Sequence, residues 1–177
     1  MVRSFMGQDT DCPCFSLACL RAGSVRLSLA LVLALLVVPG YVVVPVLFAN
    51  LDSHALAGHL AGNIFHITNR GILLLLLAVT VFWWKRGVGR WRWAMLVAVA
   101  CLVGFNEFLL SPVMEELKLA MGSIDALPAG DPKRVEFGIW HGVVSILHLL
   151  ATLAAAVLVA LGLPPGRSES GRGHCKP

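Results

Sequence analysis

Imidazole, carboxylate, amide and guanidinium side chains recur at helical spacing within otherwise apolar stretches of this chain. His59, Asn63, His66 and Arg70 follow one another at steps of four, three and four, which lines them along one helical face. Gly104, Glu107 and Ser111 repeat the spacing beside Asn106, and His141, Ser145 and His148 repeat it beside Gly142. Imidazole and carboxylate are the usual groups for binding metals, ligating haem and carrying protons. If the three stripes converge, His66, Glu107 and His141 suit any of these tasks, and His66, His141 and His148 are the candidate ligands for haem or copper. A second reading needs no cofactor. His and Asn in membrane helices hydrogen-bond across the bundle, with each bond worth about 0.6–2 kcal/mol, and Glu107 would pair with Arg70 so that neither charge is buried alone.

The elements that carry these residues are four runs of mostly apolar residues, Leu27 to Phe48, Ile64 to Trp84, Trp93 to Leu110 and Ile139 to Leu163. Each is long enough to cross a hydrocarbon layer roughly 30 Å thick as a helix. Composition agrees: 58% of residues are hydrophobic and 14% charged, with a mean hydropathy of +0.81, too oily for a water-soluble domain. The expected fold is an all-α integral membrane four-helix bundle over residues 25–163, between an arm at 1–24 and a tail at 164–177 that are rich in Gly, Ser, Pro and charge and read as flexible. The first run continues through Val44, Pro45, Val46 and Phe48 with no small-x-small cleavage site, so it reads as a retained helix and not as a signal peptide.

Basic residues near helix ends favour the cytoplasmic side. Arg3, Arg21 and Arg26 precede the first helix, Lys85, Arg86, Arg90 and Arg92 fill the second connection, and Arg167, Arg172 and Lys176 lie in the tail. The first connection carries Asp52 alone, and the third mixes Lys118, Lys133 and Arg134 with Glu115, Glu116, Asp125, Asp131 and Glu136. Both termini are therefore expected on the cytoplasmic side of the membrane. The net charge of +4 follows from this topology and calls for no nucleic-acid partner. The partners expected are the lipid bilayer and either further copies of the chain or another membrane protein.

Packing cues are distributed along the same helices. Pro45 is expected to bend the first helix, and Gly58 and Gly62 form a Gly-x-x-x-Gly pattern that allows close backbone approach. Pro112 is expected to end the third helix, with a short interfacial helix following through Met121. Trp83, Trp84, Trp91 and Trp93 bracket the basic turn at headgroup level. Cys12 and Cys14, with Cys19 or Cys175, would make a thin metal site, and on the cytoplasmic side they would stay reduced. The chain has no Gly-x-Ser-x-Gly, no His-Glu-x-x-His and no phosphate-binding glycine loop, which disfavours an enzyme. Four helices without an inverted repeat would make a small-solute transporter only as an oligomer.

Several of these residues resemble a known family. Pro45, Leu47 and Phe48, followed by Ala57, Gly58, Gly62 and Phe65, resemble the first conserved block of the transmembrane protein 205-like family. Asn106, Leu110 and Pro112 before an acidic amphipathic segment resemble its third-helix end, and Phe137, His141, Gly142, Ser145 and Leu149 resemble its His-Gly-x-Ser-Ser-x-x-Asn-Leu stretch. Val144 and His148 depart from that pattern, where the family usually has Ser and Asn. The likeness covers most of residues 30 to 163. It implies a four-helix membrane fold and no specified activity, since the bacterial members are largely unassigned and the animal protein is linked to platinum-drug resistance. A looser likeness to copper-resistance and haem-pathway membrane proteins implies histidine-bound haem or metal, by analogy of fold. Two functions follow: a non-enzymatic membrane protein acting through packing, partner binding or small-solute tolerance, and a haem- or metal-binding protein using its helix histidines.

Overall fold

The computed structural model describes residues 17–84, 88–122, 126–128 and 130–161, with side chains from Gly23 onward. These residues are helical almost throughout. Helix α1 (Leu17–Val38) runs through a π-helical turn at Pro39–Val43 into α2 (Val44–Asn50), and α3 (His54–Trp83) returns. Helix α4 (Arg90–Phe105) runs through a second π turn at Asn106–Leu110 into α5 (Ser111–Met121), and α6 (Pro132–Ala160) completes the bundle. Four segments are long and apolar enough to cross a membrane: Gly23–Asn50, His54–Trp83, Arg90–Met121 and Pro132–Ala160.

Local chemistry sets the boundaries. The Ser53 hydroxyl accepts from the Leu56 amide at 3.2 Å, and the Asp131 carboxylate accepts from the Lys133 amide at 2.9 Å with Pro132 in the first turn. Gly122 ends α5 at φ +69°, a conformation that disfavours any residue with a Cβ. In each π turn the hydrogen bond reaches one residue further than in an α-helix: the Val44 amide donates to the Pro39 carbonyl, and the Ser111 amide to that of Asn106.

Three element ends differ from the limits of the apolar runs. The second helix starts at His54, ten residues before the apolar run, because a Ser53 cap and a polar but helix-compatible sequence extend it beyond the hydrocarbon-like part. Pro112 does not end the third helix: it falls in the first turn of α5, directly after the π turn, where a missing amide hydrogen is tolerated. Helix α1 begins at Leu17, within the segment 1–24 read as an arm. Cys12, Cys14, Cys175 and the 164–177 tail lie outside the described residues, as does the Cys19 side chain.

The helices follow one another around the bundle, α1 packing on α3, α3 on α4, α4 on α6 and α6 back on α1. Each gives one stripe to the core: Val25, Leu29, Val32 and Leu36; Ile72, Leu76, Val79 and Trp83; Leu96, Val99 and Val103; Ala151, Ala155 and Leu158. All lie toward the end where Trp83 meets Trp93 edge to face, with ring centroids 6.0 Å apart. The opposite half holds the polar residues.

Lipid is as apolar as this core, so burial holds the helices through interatomic contact and not through escape from water. On α3, Leu76 is 2% exposed and Leu74 68% exposed. Leu76→Ala is expected to cost about 2–5 kcal/mol and Leu74→Ala within about 0.5 kcal/mol, read by unfolding of the protein in bilayers or mild detergent. Equal costs at the two positions would refute this packing.

Candidate functional site

Glu107 sits in the second π turn with its side chain 2% exposed. A carboxylate at this depth needs donors, and α3 supplies three from one turn. Oε1 accepts from His66 Nδ1 at 3.1 Å and from Arg70 Nε at 3.0 Å, and Oε2 accepts from Asn69 Nδ2 at 3.3 Å. The spacing His66, Asn69, Arg70 puts the three donors on adjoining positions of one helix, so the cluster staples α3 to the third span. The Arg70 side chain is 70% exposed, reaching inward with Nε while its guanidinium edge stays at the bundle surface.

A cavity of about 450 Å³ opens beside this cluster. Its polar wall includes His66, Asn106, His141, Ser145 and His148, and its apolar wall includes Tyr41, Phe48, Phe65, Met114 and Phe137. Both π turns reach it, one through Gly40 and Tyr41 and the other through Asn106. Asn106 is 7% exposed, and its Oδ1 is buried with no protein partner among the described residues.

Each histidine has its own support. His148 donates from Nε2 to the Leu36 carbonyl at 2.9 Å, just before the first π turn, and its ring meets Phe65 edge-on at 5.4 Å and Tyr41 at 5.9 Å. The fit requires Gly40, because a Cβ there would stand 2.6 Å from His148 Nε2. His141 stacks on Phe137 at 5.9 Å, and the Ser145 hydroxyl donates to the His141 carbonyl at 2.8 Å.

Lys118 closes one side of the cavity. Its Nζ donates to Glu115 Oε1 at 2.8 Å and to the Gly58 carbonyl at 3.4 Å. A Cβ on Gly62 would lie 3.1 Å from Lys118 Nζ and 3.3 Å from Glu115 Oε1. The Gly58 and Gly62 pair was expected to admit a neighbouring backbone; Gly62 admits this ion pair instead, and a Cβ on Gly58 would meet nothing within 4 Å among the described residues. Beyond the pair is a second cleft of about 460 Å³, lined by His54, His59, Arg134 and Phe137 among others.

Of the residues singled out by spacing, His66, Arg70 and Glu107 are hydrogen-bonded together, while Asn106, His141, Ser145 and His148 join His66 around the cavity. His59 and Asn63 are exposed and meet each other at 3.5 Å, away from the Glu107 cluster. Among the described residues, no three His, Cys, Asp or Glu side chains stand close enough to hold a metal ion. Spacing missed Asn69, which lies one position off the chosen face, though it follows His66 by three residues as a fellow donor must. It also missed Lys118 and Glu115, whose three-residue step signals an ion pair on a helix surface.

Arg70→Leu leaves the Glu107 carboxylate buried without its cation and is expected to destabilise the protein by about 3–5 kcal/mol. Adding Glu107→Leu should recover most of that loss, giving a strongly non-additive cycle in unfolding measurements; additive losses would mean that the pair does not interact. Gly40→Ala should cost about 1–3 kcal/mol by overpacking, and His148→Ala should suppress that cost in the double variant.

A family model described as a domain of unknown function (DUF4149) matches residues 27–123, which include Glu107, its three donors and both π turns. No curated protein and no solved structure matches the chain. The match covers more than half of the sequence, and the chain belongs to this family of unassigned function.

Proposed function

We propose that this protein is a non-enzymatic, multi-pass bacterial inner-membrane protein that binds a small solute in the cavity between its two π turns, with both termini cytoplasmic and the cavity end facing outward. The observation that carries the reading is Asn106, whose amide oxygen is buried without a partner among the described residues at the wall of that cavity. Buried polar atoms in native proteins are nearly always paired, so an unpaired one lining a cavity suits a bound partner. Cavities of this size with mostly apolar walls and a few polar groups are the usual form of small-molecule sites.

Charge supports the orientation. In sequence, Arg26, Lys85, Arg86, Arg90 and Arg92 flank the helices at the core end, against Lys118, Lys133 and Arg134 at the cavity end. The core end is closed by Leu36, Ile72, Leu76, Val99 and Ala155, which favours binding over passage through a single copy. The likeness to transmembrane protein 205-like proteins fits a role in solute tolerance, in which a membrane protein retains a compound it does not transform.

The test fills the cavity. Ala61 and Val144 both line it. Wild-type protein in detergent should gain thermal stability with some members of a small-solute panel, a ligand at a hundred times its Kd adding about 2.7 kcal/mol. Ala61→Phe and Val144→Phe should remove that gain while remaining folded. Gains that persist in both variants, or a panel without effect, would overturn the reading. Reporter fusions at Ser53 and after Leu161 should show outside and inside placement, respectively.

A further inference from the structure

The ligand class follows from which hydrogens at the cavity wall are already committed. His66 spends its Nδ1 hydrogen on Glu107, so in the neutral ring Nε2 is bare and can only accept. His148 spends its Nε2 hydrogen on the Leu36 carbonyl, leaving Nδ1 as an acceptor. The Ser145 hydroxyl donates to the His141 carbonyl, leaving lone pairs on its oxygen, and Asn106 Oδ1 accepts from nothing among the described residues. The Lys118 ammonium, the cationic donor at the wall, is engaged by Glu115 and by the Gly58 carbonyl. The Asn106 amide nitrogen, the Tyr41 and Ser111 hydroxyls and the His141 ring can also donate at this wall, but the committed hydrogens of His66, His148 and Ser145, with Asn106 Oδ1, leave four acceptors for a ligand that brings several donors.

We infer that the cavity binds an amphipathic amine, a molecule with an apolar body and a primary or secondary ammonium group. This rests on the solute-binding reading above. A primary ammonium has three donors and no acceptor, the complement of a wall formed by His66, Asn106, Ser145 and His148. The aromatic rings of Tyr41, Phe48, Phe65 and Phe137 line the cavity, and such rings attract a cation and pack against an apolar chain. Glu107 is fully engaged by His66, Asn69 and Arg70, so it shapes the wall without serving as the counter-ion. A carboxylate or phosphate ligand would set its lone pairs against those of the wall.

Four probes of one shape test the inference on the full-length protein in detergent, by titration calorimetry and thermal shift: 2-phenylethylamine, its N,N,N-trimethyl derivative, 2-phenylethanol and 3-phenylpropionate. The amine should bind at least about tenfold more tightly than each of the others, a ratio that one charged hydrogen bond can supply. Asn106→Leu should weaken the amine by about tenfold and leave the trimethyl derivative unchanged. Ser145→Ala gives the same comparison if Asn106→Leu does not fold. Equal binding of the trimethyl derivative would overturn the role of donors, and equal or tighter binding of the alcohol or the carboxylate would overturn the ammonium. In either case the cavity would remain a binding site. Failure of all four probes, together with no response to the wider solute panel, would overturn the solute-binding reading and this inference with it.

Discussion

A single carboxylate constrains this bundle. Glu107 is a buried charge in a mostly apolar span, and hydrocarbon offers it nothing to bond with. Its position is tolerable only where three donors from another helix reach it at once, which fixes the rotation of α3 as well as its height relative to the third span. His66, Asn69 and Arg70 occupy one turn, so a register slip by a single residue would remove at least one donor from the carboxylate. Apolar contacts between helices in lipid carry little directional information. Polar pairing supplies it here.

The π turns solve the problem that such pairing creates. Consecutive residues of an α-helix point about 100° apart, yet Asn106 and Glu107 are both buried, one at the cavity and the other against α3. The wider turn places two adjacent polar side chains inside the bundle on different tasks. At Pro39 the same device follows the Leu36 carbonyl, which accepts from His148. Gly40 keeps that approach open, while Gly62 leaves room for Lys118 and Glu115. The small residues thus accommodate polar side chains more than neighbouring backbones.

Much of the fold was legible because lipid imposes a crude requirement: a long apolar run must be a helix that spans. Periodicity identified His66, Glu107 and Arg70 for the same reason, since charge is conspicuous in such a run. The helix ends were less legible. His54–Asn63 and Ser111–Met121 are helical but not strongly apolar, and hydropathy measures the solvent around a helix and not the helix itself. The π turns left no usable mark: the bend was expected at Pro45 and an end at Pro112, whereas the turns lie at Pro39–Val43 and Asn106–Leu110. Asn69 was hidden by its neighbour, because choosing the face that carries Arg70 turns attention from the residue beside it. His59 and Asn63 share the spacing of the stripe without its environment, since they precede the turn that meets Glu107.

The division of the molecule into a filled half and an open half has a mechanical rationale. An open cavity forfeits contacts on its lining, and in lipid those contacts are the principal source of cohesion. The bundle can lose them at one end because the other is tightly interlocked by Leu36, Ile72, Leu76, Val99 and Trp83, each 2% exposed or less. Between the halves stand the Glu107 cluster and the His148 bond to Leu36, which tie α3 to the third span and α6 to α1. Two cross-links at that level hold both pairs of helices apart at a fixed width. The cavity beyond them is then set by the positions of the helices, so its polar atoms can be presented to a ligand without first being organised by it.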